Sequence, residues 1–169
     1  MNGLPDRTYA VYLGLDVGKE HHHACALDPA GKRLHDKTLP QDAQRIRDLL
    51  TDLSVHGDVL VVVDQPASIG ALPVAVARSM NIQVAYLPGL AMRRIADLHP
   101  GNAKTDARDA YVIADAARTL PHALRRVDVG DDALADLEVI VGFDDDLAAE
   151  TTRVTNRVPV SYTHLTLPT

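Results

Sequence analysis

Apolar and polar positions alternate from Tyr9 to Val17 (YAVYLGLDV), with Tyr9, Val11, Leu13, Leu15 and Val17 on one side and Ala10, Tyr12, Gly14 and Asp16 on the other. A period of two predicts a strand, mostly buried, carrying Asp16 near its end. His22 to Leu27 predicts a second strand, and DPAGK at 28 to 32 has the Pro and Gly of a tight turn into a third, Arg33 to Leu39. Three consecutive strands predict an antiparallel meander. The period then changes. From Asp42 to Leu53, Ile46, Leu49, Leu50 and Leu53 recur at helical spacing. Asp58 to Asp64 (DVLVVVD) is a continuous β-branched run, as in a parallel strand covered on both faces, and it ends in a carboxylate.

The pattern continues with a helix over about 70 to 80, where Pro73 is tolerated only near the first turn, and a buried strand over 82 to 87. A short helix at 90 to 98, the loop LHPGNAK and a helix from about Thr105 follow. The order βββ, then α, β, α, β, α, predicts an α/β fold in which crossover units add parallel strands to the meander. Beyond Asp128, Leu134, Leu137, Ile140 and Val141 predict a helical arm over 128 to 157. The charge-poor VPVSYTHLTLPT reads as a non-native or disordered tail over 158 to 169.

Composition narrows the classes. With 169 residues the chain suits one domain, with 46% hydrophobic and 24% charged residues. The single cysteine, Cys25, cannot form an internal disulfide, which fits a reducing, cytoplasmic setting. No stretch approaches the ~20 apolar residues of a membrane span, and neither export nor embedding is expected. A net charge of -6 argues against a surface that grips a polyanion everywhere, and 5 Tyr, 1 Phe and no Trp argue against a base-stacking platform.

The chemistry concentrates in KTDARDA at 104 to 110. On a helical wheel Asp106 and Asp109 share a side with Ala110, Ile113, Ala117 and Leu120, whereas Arg108, Tyr111, Asp115 and Arg118 lie opposite. Thr105 can cap this helix and both aspartates can complement its positive end, so a helix-end role and an inward-facing role are both open. Asp16 and Asp64 end two strands at the edge of the sheet where ligands bind in open α/β folds. Clustered carboxylates raise one another's pKa unless a counter-charge intervenes. Mg²⁺ takes oxygen ligands, and two such ions about 3.5–4 Å apart stabilise the attacking and leaving oxygens of phosphoryl transfer.

LGLDVGK, the VVVD strand end and AKTDARDA, in this order, resemble the N-terminal DEDD domain of the insertion-sequence transposases related to the RuvC Holliday-junction resolvase. The resemblance runs from about Tyr9 to about Arg157. It implies a ribonuclease-H-like (RuvC-like) mixed sheet over 9 to 127. It also implies Mg²⁺-dependent DNA strand cleavage and exchange, with Asp16, Asp64, Asp106 and Asp109 as catalytic metal ligands. The family has Glu at the second acid; Asp64 is shorter by one methylene. Family members continue through a helical arm into a domain that supplies a serine nucleophile. They act as oligomers on DNA in bacteria, with a guide RNA in characterised cases. The resemblance therefore implies that recombination needs more than this chain.

Other features are weighed beside it. Lys19, Arg93, Arg94, Lys104 and Arg108 bracket the acids in sequence and are candidate phosphate contacts. His21, His22 and His23 alternate faces, so at most His21 and His23 share one, and a surface strand is expected rather than a zinc site. Asp144, Asp145 and Asp146 read as a solvated acidic face. Two other classes remain: a catalytically silent nucleic-acid-binding or oligomerisation fragment, and a small-molecule kinase or ATPase, for which no Gly-rich phosphate loop is visible.

Overall fold

The computed structural model describes residues 7–99 and 105–127. The expected arm and tail, 128 to 169, and Lys104 lie outside the described residues. Six strands form one sheet in the order β3-β2-β1-β4-β5-β6. The meander is β1 (Val11–Asp16), β2 (His21–Leu27) and β3 (Arg33–Pro40), all antiparallel. The turn from β2 to β3 closes on Asp28, whose Oδ1 accepts from the N–H groups of Ala30 (2.9 Å) and Lys32 (2.8 Å), while Gly31 takes φ +84°, a conformation costly for any side chain. β4 (Val59–Val63) and β5 (Gln83–Tyr86) add to β1 in parallel. The sequence pattern gave no β6 (Arg125–Arg126), an antiparallel edge pair with β5; two exposed arginines are too short a run to show a period.

The helices cover both faces. α1 (Ala43–Ser54) starts at Asp42, whose side chain accepts from the Arg45 N–H at 2.8 Å, and buries Ile46, Leu49, Leu50 and Leu53 as the spacing predicts. With α2 (Ala71–Ser79) it packs on one face of the sheet, against Val11, Leu13 and Leu15 of β1 and Val59, Val61 and Val63 of β4. Pro73, third in α2, falls in the first turn, where its missing N–H costs nothing. The even-numbered residues face the other way. Tyr12, Leu60 and Val62 meet Val112, Ile113, Ala116 and Ala117 of α4 (Asp106–Thr119), with Ile95 of α3 (Gly89–Ala96) beside them.

One close approach sets the height of α4 over the sheet. A Cβ on Gly14 would stand 2.4 Å from the Ala110 carbonyl oxygen and 2.5 Å from the Ala114 amide nitrogen. Only glycine fits there. Ala110 and Ala114 pack in the same place on Cys25 and Leu27, and burial pushes the Cys25 thiol up to about 12, so it serves as a small apolar side chain.

Candidate active site

Strand register assembles the first pair of acids. β1 and β4 run parallel with Gly14 opposite Val62 and Leu15 opposite Val63, so one further step sets Asp16 beside Asp64 at the carboxyl edge of the sheet. Asp16 shares its face with Tyr12 and Gly14, and Asp64 with Leu60 and Val62. That is the face α4 covers. Both carboxylates are half-buried.

The third acid arrives on the helix that Gly14 admits. Asp109 precedes Ala110, the residue in closest approach to Gly14, and is half-buried in the first turn of α4. Burial raises the Asp64 carboxyl above its ordinary value; the N–H groups of Val17, Asp64 and Gln65 oppose this, and the charge of Asp109 adds to the rise. The Val17 N–H donates to Asp64 Oδ1 at 3.3 Å. The charge of Asp109 is thus felt at Asp64, as the smallest of these influences.

Asp106 differs. It is exposed, the first residue of α4, where the Thr105 hydroxyl accepts from the Arg108 N–H at 3.2 Å. The helix-end role fits Asp106 directly, whereas Asp109 combines that position with proximity to Asp64. Among the described residues no three His, Cys, Asp or Glu side chains are already gathered closely enough to hold a metal ion.

The basic candidates divide too. Lys19, in the β1–β2 loop, and Arg93 and Arg94, on α3, are exposed. α3 follows the carboxyl end of β5, at the edge of the sheet that carries the acids. Arg108 instead donates from Nη2 to the carbonyls of Ala96 and His99, both at 3.0 Å, tying the end of α3 to α4.

The histidine run departs from expectation. His22 is 1% exposed, on the face of β2 that also carries Ala24 and Ala26, so the surface-strand reading fails for its middle residue. Its Nδ1 accepts from the Gly18 N–H at 3.2 Å and its Nε2 meets the Gln41 side-chain oxygen. The signal was present in the sequence, since alternation through Ala24 and Ala26 carries His22 inward. His21 is exposed and His23 pairs with Asp36 at 2.7 Å.

Comparison with known proteins agrees with this architecture. The family model for IS110-type DEDD transposases, described as "Transposase", matches residues 13–160. An uncharacterized 43.6 kDa protein of insertion element IS110 from Streptomyces coelicolor is 62% identical over 149 residues, covering 88% of this chain and 37% of that protein. A 42 kDa protein of insertion element IS900 from Mycobacterium paratuberculosis is 32% identical over 146 residues, covering 85% of this chain and 36% of that protein. The chain thus spans little more than a third of the length of these relatives. Among solved structures, Thermus thermophilus RuvC superposes with a TM-score of 0.51 at 14% identity, covering 69% of this chain and 99% of that one, and so shares the fold. The chain belongs to the IS110-type DEDD transposase family and carries its RuvC-like sheet.

Proposed function

We propose that this chain forms the strand-cleaving part of an insertion-sequence transposase, acting on DNA with Asp16, Asp64, Asp106 and Asp109 around a divalent cation. The observation that carries the reading is the β1–β4 register that sets Asp16 beside Asp64, with the charge of Asp109, in the first turn of α4, felt at Asp64. An all-carboxylate donor set suits a hard cation such as Mg²⁺, and the Asp64 carboxyl, raised first by burial and then by the charge of Asp109, is one whose ionised form such a cation would favour. When bound, one or two such ions supply charge stabilisation to the attacking and leaving oxygens at phosphorus. The chain's own part is to bring the carboxylates together and to keep Asp64 oriented through the Val17 N–H. Lys19, Arg93 and Arg94, with Lys104 at the crevice in sequence, would neutralise phosphates of the strand. The serine domain, guide RNA and partner copy implied by the family resemblance belong to the same proposal.

Calorimetry with Mn²⁺ and Mg²⁺ on the chain and on Asp16→Asn and Asp109→Asn tests it. Affinity weakened at least about tenfold in both variants is expected, the scale that even outer-shell partners carry. Affinity unchanged in both would refute the metal reading.

A second reading rests on the exposed Lys19, Arg93 and Arg94 alone: a nucleic-acid-binding piece that does not cut. It requires retention of DNA or RNA at low salt without cleavage in Mg²⁺, and cleavage by the chain would exclude it. Family membership sets aside the kinase or ATPase alternative.

A further inference from the structure

We propose that His22 is a positioning residue for the carboxylate crevice, its two ring nitrogens joining the loop that follows Asp16 to the loop that follows Asp64. The inference rests on the reading of the acids given above. Its first half is the Gly18 N–H, which donates to His22 Nδ1 at 3.2 Å. A backbone N–H can only donate, so Nδ1 carries no proton and the ring holds its proton on Nε2. That proton points at the Gln41 side-chain oxygen.

Gln41 passes the connection on. Its Nε2 donates to the Ile69 carbonyl at 3.0 Å, while its own N–H donates to Glu20 O at 3.0 Å, so it is held at both ends. Ile69 lies in the 3₁₀ turn Ser68–Gly70 that follows Asp64. This turn folds hard onto the strand end: a Cβ on Gly70 would fall 1.6 Å from the Gln65 carbonyl oxygen. At the other end Gly18 is equally confined, with a Cβ there standing 2.3 Å from the His21 carbonyl oxygen.

The consequence reaches Asp64 through Val17. The residue between Asp16 and Gly18 gives its N–H to Asp64 Oδ1, and the peptide that follows it is the one His22 fixes. Removing the imidazole frees the Gly18 N–H and lets the Val17–Gly18 peptide turn, which loosens the adjoining Asp16–Val17 peptide whose N–H donates to Asp64. Three successive hydrogen bonds, Gly18 to His22, His22 to Gln41 and Gln41 to Ile69, thus run between the two acid-bearing loops.

Three variants separate positioning from packing. In His22→Asn the amide oxygen stands where Nδ1 stood and can still accept from Gly18, but the side chain is too short for Gln41. In His22→Gln the amide reaches toward Gln41 and abandons Gly18. His22→Phe abandons both. Amide hydrogen exchange at Val17 and Gly18, normalised to the β4 amides, is measured by NMR on each free protein, with Mn²⁺ affinity by calorimetry and the melting temperature as a control. We expect all three to melt lower. His22→Gln and His22→Phe should speed exchange at Val17 at least about tenfold and weaken Mn²⁺ about 10–100-fold, while His22→Asn keeps both within a few-fold of the wild type. Equal Val17 protection in Asn and Gln variants, or Mn²⁺ affinity that follows melting temperature alone, would overturn the assignment. If the wild type binds no Mn²⁺, the metal reading fails and the exchange pattern alone decides the role of His22. If His22→Phe does not fold, the Asn and Gln pair carries the comparison.

Discussion

At the residue scale, Asp64 shows what a half-buried carboxylate costs a folded chain. Its folded value is raised, so between the ordinary 3.8 and the raised value the folded chain binds more protons than the unfolded one, and stability falls as pH rises through that window. The cost persists at neutral pH. Asp64→Asn keeps an oxygen for the Val17 N–H and removes the charge, so it should melt at a higher temperature than the wild type at pH 7 while losing Mn²⁺ binding. A lower melting temperature would show that the charge stabilises the resting fold. His22 and His35 run the opposite way. Burial lowers both from 6.5, so below 6.5 the unfolded chain takes up protons that the folded one refuses. Urea midpoints should therefore be level above about pH 6.5 and decline below it. A midpoint independent of pH between 5 and 7 would contradict the burial of both rings.

At the element scale, the fold was readable wherever one face of an element is apolar and the other is not. Alternation in 9–17 gave β1, and the spacing of Ile46, Leu49, Leu50 and Leu53 gave α1. Asp42→Ala, which removes the cap of α1, should cost about 1 kcal/mol in denaturant unfolding. What the pattern could not give is distance. Gly14 reads as one more residue of the polar side of β1, yet it is where α4 touches the sheet. Gly14→Ala should cost about 1–3 kcal/mol by overpacking and, by lifting α4, weaken metal binding as well. A neutral Gly14→Ala would mean that α4 can shift without loss. The same limit applies to the acids: strand ends and helix spacing single out four candidates, but only register sets Asp16 beside Asp64, and only the fold half-buries Asp109 within range of the Asp64 charge while Asp106 stays at the surface. The charge of Arg108 is visible in a sequence, whereas the carbonyls of Ala96 and His99 that its Nη2 meets are not.

At the scale of the whole molecule, the proposed nucleic-acid contact of an acidic chain has to run through a few well-placed cations. Lys19, Arg93 and Arg94 are the exposed candidates at the acid edge among the described residues. With Lys104 as the fourth proposed contact, the logarithm of DNA affinity against that of salt concentration should then fall with a slope no steeper than about -4. A much steeper slope would assign most of the contact to other parts of the chain. Among the described residues no helix is long and apolar enough to cross a membrane.

The position of β3 at one end of the sheet bears on assembly. Two copies joined there by a two-fold axis keep their faces aligned, so each residue must oppose one of its own parity. The two registers with greatest overlap set Asp36 against Asp36 or Lys37 against Lys37, and like charges directly opposite one another repel. Among the described residues β3 ends the sheet, and like charges at its centre disfavour a second copy pairing there in either register.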